Sequence, residues 1–289
     1  MTATTGRPVM AKLMIGLGLV LTGLNVWGVV WPADYARDYE FISRPQDGQQ
    51  SFEWAMNNLA NVQENSLIPS VMEIVNRRMV NYLQAEEVRS HALRVHPTEN
   101  WALWLLGVIR PTTYGTLTLN NYVHILRRGL GMCGQQALAV VDILEKRGIK
   151  ASSVGLLNHV VAQAEYKGQA YIIDPDYGVV MPYTLEELRN RPDIIRAAYA
   201  HMLQHVSPDH LEIITRHVIE AYKNAPPAPP LDGIKSTIPA KEITFERDIY
   251  RIKWAVPFLL IGVGLGWWMI TGGRSAKRAS AADQGSRAV

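Results

Sequence analysis

The sequence predicts an α+β domain, helices plus a small antiparallel sheet, carried between two transmembrane helices. Three observations predict it. An uncharged apolar stretch lies near each end of the chain, apolar residues recur at helical spacing in 51–95 and 133–147, and short β-rich runs follow at 151–157, 159–166 and 169–173.

The first apolar stretch is Leu13 to Ala33 and the second Trp254 to Gly273. Each supplies the roughly 20 residues that a helix needs to cross about 30 Å of hydrocarbon. Trp27, Trp31 and Trp254 stand at their ends, where amphipathic rings prefer the membrane interface. The first run outlasts a signal-peptide core and no small-x-small cleavage site follows it, so it reads as an anchor. Two spans put both termini on one side. The short tails carry Arg7, Lys12, Arg274, Lys277, Arg278 and Arg287 against one acid, Asp283, which points them to the cytoplasm of a bacterial inner membrane, with the domain outside. Gly262 and Gly266 form a GxxxG in the second span, a spacing that lets a partner helix approach.

Between the spans, Val71, Ile74, Val75, Met79 and Leu83 mark a helical face, and Trp101 to Ile109 is an apolar run ended by Arg110-Pro111. Residues 133–147 carry the stripe Ala137, Val140, Val141 and Leu144, stopped by Gly148. After the β-rich runs, Thr184-Leu-Glu-Glu opens a helix with a capping pattern, 193–223 continues helical, and Ala225-Pro-Pro-Ala-Pro-Pro is a stiff linker. The chain therefore divides into a tail (1–12), a first span (13–33), a helical lead-in (34–110), a core (111–190), a C-terminal helical part (191–224), a Pro-rich linker and juxtamembrane segment (225–253), a second span (254–273) and a basic tail (274–289).

Lys and Arg number 29 against 26 Asp and Glu, and the excess sits in the tails. The globular part has no basic stripe, which argues against a nucleic-acid partner. Neither span contains an ionisable side chain, which argues against transport through them.

Cys133 is the one cysteine, so no intramolecular disulfide forms. Gly129-Leu-Gly-Met-Cys-Gly-Gln-Gln-Ala places it where a glycine-rich turn enters the helix of 133–147. Unpaired N–H groups and the positive helix end favour a thiolate there and can receive an oxyanion. A thiolate nucleophile needs an imidazole. His159 begins a strand, Lys167-Gly168 reads as a two-residue hairpin turn, and Gln169 begins the return. Tyr166 then pairs Gln169, Val161 lies opposite Asp174, and His159 becomes the diagonal neighbour of Asp174 on one face. Asp176 falls opposite His159 in that register and is a rival, placed behind Pro175.

Gly-Met-Cys-Gly-Gln-Gln-Ala, the helix ending Lys-Arg-Gly-Ile-Lys-Ala, Asn-His-Val-Val and Tyr-Ile-Ile-Asp-Pro-Asp-Tyr-Gly resemble the transglutaminase-like branch of the papain-like cysteine enzymes, over about residues 115–185. The resemblance implies a papain/transglutaminase-like fold with Cys133 as nucleophile, His159 as general base and Asp174 orienting the imidazole. Many members carry an aromatic after the cysteine and another close after the histidine; here Gly134 and Val160-Val161 stand there. A side-chain amide can complete the oxyanion hole in this chemistry, and Asn120, Asn121, Gln135 and Gln136 are local candidates. His201 and His205, four apart, make a weaker metal-binding pattern without the adjacent Glu of metalloproteases. Nothing in the sequence calls for a metal or organic cofactor. The expected function is a membrane-anchored cysteine enzyme acting on a peptide or other amide-bearing substrate. The alternative is a non-catalytic binding or assembly module of a membrane complex.

Overall fold

The computed structural model describes residues 6–32, 50–80, 95–114, 119–202, 207–236 and 238–286. In chain order the helices are α1 (Gly6–Val30), α2 (Phe52–Ala60), α3 (Leu67–Arg78), α4 (Pro97–Ile109), α5 (Pro111–Tyr114), α6 (Tyr122–Arg128) and α7 (Cys133–Lys146). Strands β1 (Lys150–Leu156), β2 (His159–Tyr166), β3 (Gln169–Asp174) and β4 (Val179–Met181) follow, then α8 (Leu185–Arg189), α9 (Pro192–Met202), α10 (Pro208–Lys223) and α11 (Ala240–Ser286). The chain forms two units: Met1–Ala33 with Arg94–Thr116 and Arg247–Val289, and Asp34–Leu93 with Leu117–Glu246.

The first unit holds the long apolar helices. Val9–Val30 and Ala240–Thr271 are long and apolar enough to cross a membrane. Both helices begin before the spans expected from hydropathy, and α1 ends at Val30 where the expected span ran to Ala33. α1 begins at Gly6, and α11 begins at Ala240, so the juxtamembrane part of the expected linker is helical. The two pack antiparallel through glycines. A Cβ on Gly18 would stand 2.7 Å from the Pro257 carbonyl oxygen, and one on Gly264 2.7 Å from Ile15. Gly262 and Gly266, the expected GxxxG, meet nothing within 4 Å. The motif gives the spacing, but the rotation of the helix about its axis turns the glycine between them to the neighbour. Residues 94–110, assigned by sequence to the lead-in, and 111–116, assigned to the core, group with these helices, and α4 packs on α1.

The second unit is built on a four-stranded antiparallel sheet, ordered β1-β2-β3-β4. The Lys167-Gly168 turn has both residues in the left-handed region (φ 53° and 77°), as a two-residue hairpin with right-handed strand twist requires. It fixes Tyr166 opposite Gln169 and Ala162 opposite Ile173, the register expected from the sequence. β4, only three residues long, was not anticipated. One face of the sheet, with Val154, Leu156, Val161 and Ile172, buries itself under α8, α9 and α10 against Leu185, Leu188, Ile195, Val218 and Tyr222. α7 packs on β1 and β2, and the small residues Ala151, Ala162 and Ala164, buried on the alternate face, leave room for it.

The stretch read as helical from residue 51 holds two α-helices, α2 and α3, among its described residues. Asn61, Gln63, Glu64 and Asn65 interrupt the apolar face, and Pro69 can be accommodated only in the first turn of a new helix. That helix ends at Arg78; Leu83 lies outside the described residues. Likewise Pro208 opens α10 as a separate helix after α9. At Thr184 the capping box forms as read, with the hydroxyl accepting the Glu187 N–H and the Glu187 carboxylate accepting the Thr184 N–H. The Pro-rich segment lies extended, its Ala225 and Pro226 carbonyls accepting from Arg189 and its Pro229 carbonyl from Gln163.

Candidate active site

Cys133 is the first residue of α7, and the loop before it is held on both sides. Gly129 (φ 65°) closes α6 in the left-handed conformation that favours glycine. The Val80 N–H then donates to the Gly129 carbonyl at 2.9 Å, and the Gly131 N–H to the Val80 carbonyl at 3.0 Å. Met132 stands at the N-cap without a capping side chain, which leaves first-turn N–H groups and the positive helix end to the half-buried thiol. Gln135 sits one turn in. Its amide oxygen accepts the Leu119 N–H at 3.0 Å and its amide nitrogen donates to the Leu119 carbonyl at 2.5 Å, tying α7 to the preceding segment.

His159 opens β2 and Asp174 ends β3. The imidazole Nε2 lies 2.7 Å from Asp174 Oδ2, and the Cys133 thiol is near enough to the ring to help raise its pKa. With Nε2 committed to the carboxylate, Nδ1 is the nitrogen left for sulfur. Asp174 is fully buried and has four donors. Its Oδ2 accepts from His159 and from the Tyr199 hydroxyl at 2.6 Å; its Oδ1 accepts the N–H groups of Asp176 at 3.0 Å and Tyr177 at 3.2 Å. A buried carboxylate so saturated is stable as an anion despite its desolvation.

The electrostatics follow from that anion. Burial by itself lowers the His159 pKa, but the Asp174 charge and the hydrogen bonds to Asp174 and Cys133 outweigh it and push the imidazole up to about 11. Burial raises the Asp174 pKa; the charge and hydrogen bond of His159, helped by Tyr199 and the Tyr177 N–H, reverse this and hold it below the usual carboxylate range. The pair therefore rests as imidazolium and carboxylate at neutral pH. Tyr199, buried beside that charge, is pushed well above the ordinary phenol value by desolvation and by Asp174, and stays a neutral donor.

Behind the pair runs a ladder of rings. His159 meets Tyr177 edge-on at 5.5 Å, Tyr177 meets Tyr199 at 5.6 Å, and Tyr199 meets Tyr222 at 6.4 Å, with the two buried hydroxyls 3.2 Å apart. Sequence reading missed Tyr199 and Tyr222. A signal was there: each sits four residues after an apolar core position, Ile195 and Val218, and a buried tyrosine must find a partner for its hydroxyl.

The other expected residues are placed elsewhere. Asp176, the rival, turns toward α7, where its carboxylate accepts from Gln136 Nε2 at 3.3 Å. Of the four amides considered for an oxyanion hole, Gln135 is spent on Leu119, Gln136 on Asp176, and Asn121 caps the Val123 N–H. Asn120 is buried with its Nδ2 unpartnered, while its backbone N–H donates to Glu246. Gly134 and Val160, the two departures from the family pattern, face each other: a Cβ on Gly134 would lie 3.7 Å from Val160. His205 lies outside the described residues, and among those described no three His, Cys, Asp or Glu side chains cluster to hold a metal ion.

Among the described residues of this unit, three large apolar side chains are exposed: Met132, Leu157 and Ile213. Met132 immediately precedes Cys133, and Leu157 lies in the turn that leads into His159. Compared with protein-family models, with curated proteins and with solved structures, the chain matches nothing in any of the three.

Proposed function

We propose that this chain is a membrane-anchored cysteine enzyme that cleaves or transfers amide bonds through a thioester on Cys133, in the manner of the transglutaminase-like enzymes its motifs resemble. One observation carries the proposal: a completely buried carboxylate with four hydrogen-bond donors holds His159 at 2.7 Å, and the same imidazole is electrostatically coupled to the chain's one thiol at a helix N-terminus. An inert cysteine has no need of that arrangement.

The chemistry follows from the resting ion pair. The Cys133 thiolate attacks the amide carbonyl, forming the C–S bond, and the oxyanion is received by N–H groups of the first turn of α7. His159 gives its Nδ1 proton to the departing amine as the C–N bond breaks. The neutral imidazole then takes a proton from water, whose oxygen displaces sulfur and releases a carboxylic acid; an incoming amine in that role yields a new amide. Asp174 stays ionised throughout and balances the imidazolium. Met132 and Leu157, exposed beside nucleophile and base, favour a substrate with an apolar group next to the scissile amide. The apolar helices anchor the enzyme, with the basic tails in the cytoplasm of a bacterial inner membrane and the second unit outside.

The test is the rate of Cys133 alkylation by iodoacetamide against pH in the detergent-solubilised chain, with His159→Ala beside it. The lone cysteine gives no background. Alkylation that persists near pH 6, where a free thiol of pKa ~8.5 is almost wholly protonated, and that collapses in His159→Ala, supports the enzyme. A thiol that titrates like a free one and ignores His159 overturns it and leaves a binding module.

A further inference from the structure

We propose that α4, Pro97–Ile109, is a third membrane element, lying in the bilayer interface with Trp104, Leu105, Val108 and Ile109 against the acyl chains. The proposal rests on the membrane reading of α1 and α11 and extends it to a segment too short to be recognised as a span.

The backbone of α4 leaves the helical region at Asn100 (φ −157°, ψ 94°), and at 1.5 Å per residue the helix beyond that kink, Trp101–Ile109, is only about 14 Å long, short of the roughly 30 Å of hydrocarbon. Yet Trp101-Ala-Leu-Trp-Leu-Leu-Gly-Val-Ile contains no charged, amide or hydroxyl side chain. One side of the helix, with Ala102, Leu103 and Gly107, is buried. The opposite arc carries Trp104, Leu105, Val108 and Ile109, which are 38%, 45%, 44% and 64% exposed. A surface helix facing water shows polar residues on that arc; four large apolar ones, contiguous over two turns, mark a surface made for an apolar medium.

Its neighbours say which medium. α4 belongs to the unit of the two long helices, and its first turns are bolted to their ends. The Trp101 indole N–H donates to the Lys253 carbonyl at 3.1 Å, Lys253 Nζ donates to the Glu99 carbonyl at 2.7 Å, and the Tyr250 hydroxyl donates to the Glu99 carboxylate at 2.6 Å. On the other side the Thr98 backbone rests on Gly28, where a Cβ would collide with it. Gly28 and Lys253 stand beside Trp27, Trp31 and Trp254, the aromatic residues expected at the membrane boundary. On α1, against which α4 packs, Val26, Trp27 and Val30 are exposed as well, as is Trp31 just past its end. A helix pinned at the boundary by its polar first turn and apolar beyond it lies along the interface.

Site-directed spin labelling of the full chain in lipid nanodiscs tests this. In a Cys133→Ser background, single labels go on Ile109→Cys and, as a second site, Val108→Cys. Leu19→Cys on α1 and exposed Lys223→Cys on α10 serve as references. The readout is the ratio of relaxation by oxygen, which enters lipid, to relaxation by a water-soluble nickel chelate. We expect the Ile109 and Val108 labels to show a ratio several-fold above Lys223, approaching Leu19. Labels on α4 that match Lys223 while Leu19 reports lipid overturn the proposal and leave the anchor standing. A Leu19 label that also reports water overturns the membrane reading itself.

Discussion

Replacing Tyr199 with phenylalanine removes one oxygen and tests how the site is held. The hydroxyl donates to Asp174 Oδ2 at 2.6 Å, in a place where both residues are fully buried, and stands 3.2 Å from the Tyr222 hydroxyl. A hydrogen bond to a charged group is worth about 1.5–3 kcal/mol, and the Tyr222 hydroxyl, deprived of its neighbour, adds a further desolvation cost of about 1 kcal/mol or more. Tyr199→Phe should therefore destabilise the second unit by about 3 kcal/mol, a large part of a typical domain's margin. Asp174 keeps three of its four donors, so His159 stays aligned and alkylation of Cys133 at pH 7 falls by less than tenfold. The acid limb moves more. Asp174 titrates below its unfolded value, so its contribution to stability is present above pH ~3.8 and is lost as pH falls through the folded value. Without the Tyr199 hydroxyl the folded value rises toward the unfolded one, and acid unfolding begins at higher pH. Thermal melting of the solubilised protein from pH 3 to 8, with Cys133 alkylation alongside, reads both. If melting temperature and acid limb are unchanged in Tyr199→Phe but displaced in Asp174→Asn, the hydroxyl does not support the carboxylate and the network drawn here is wrong.

Asp174→Asn should be far more severe for chemistry. It strips the imidazolium of its counter-charge, and alkylation near pH 6 should drop by about 10²-fold or more; an unchanged rate would mean that Asp174 does not set the His159 charge. His159 is raised from 6.5 to about 11, so its stabilisation is complete below pH ~6.5 and is lost as pH rises through 11; a ¹⁵N-histidine spectrum should show this ring still protonated at pH 9. In the long apolar helices, Gly18→Leu should cost about 1–3 kcal/mol by overpacking against Pro257 and Ile261, whereas Gly262→Leu, open on its face, should leave the melting temperature of the monomer within a degree or two of wild type; the reverse order would place the packing face on the GxxxG. Thr184→Ala removes the capping box of α8 and should destabilise by about 1 kcal/mol in the same melts.

What the sequence determined by itself was local. Lys167-Gly168 dictates a two-residue turn, the turn dictates the register, and the period of two puts His159 and Asp174 on one face; every step acts within 16 residues. The position of Cys133 at a helix start follows in the same way from Gly129 before it and the apolar stripe to Gly148 behind it. The tertiary structure decided what these elements meet. Tyr199 reaches Asp174 from a helix 25 residues downstream and Tyr222 reaches Tyr199 from one 48 residues downstream, and helical periodicity says that they are buried but not beside which carboxylate. Asp176 and Asp174 differ by two residues and carry the same chemistry; Pro175 ends the strand between them, and the packing of Gln136 draws Asp176 to α7. α4 is too short for a hydropathy window to separate it from a core helix, and only its neighbours, Gly28 and Lys253, assign it to the apolar unit. The glycines of α11 make the same point: spacing identifies a helix that can be approached closely, while the side from which it is approached, Gly264 and not Gly262 or Gly266, depends on the rotation that buries most surface against α1. Periodicity and turn chemistry are properties of neighbours along the chain, whereas the choice among equivalent partners is made by shape and charge that come together only when distant segments pack.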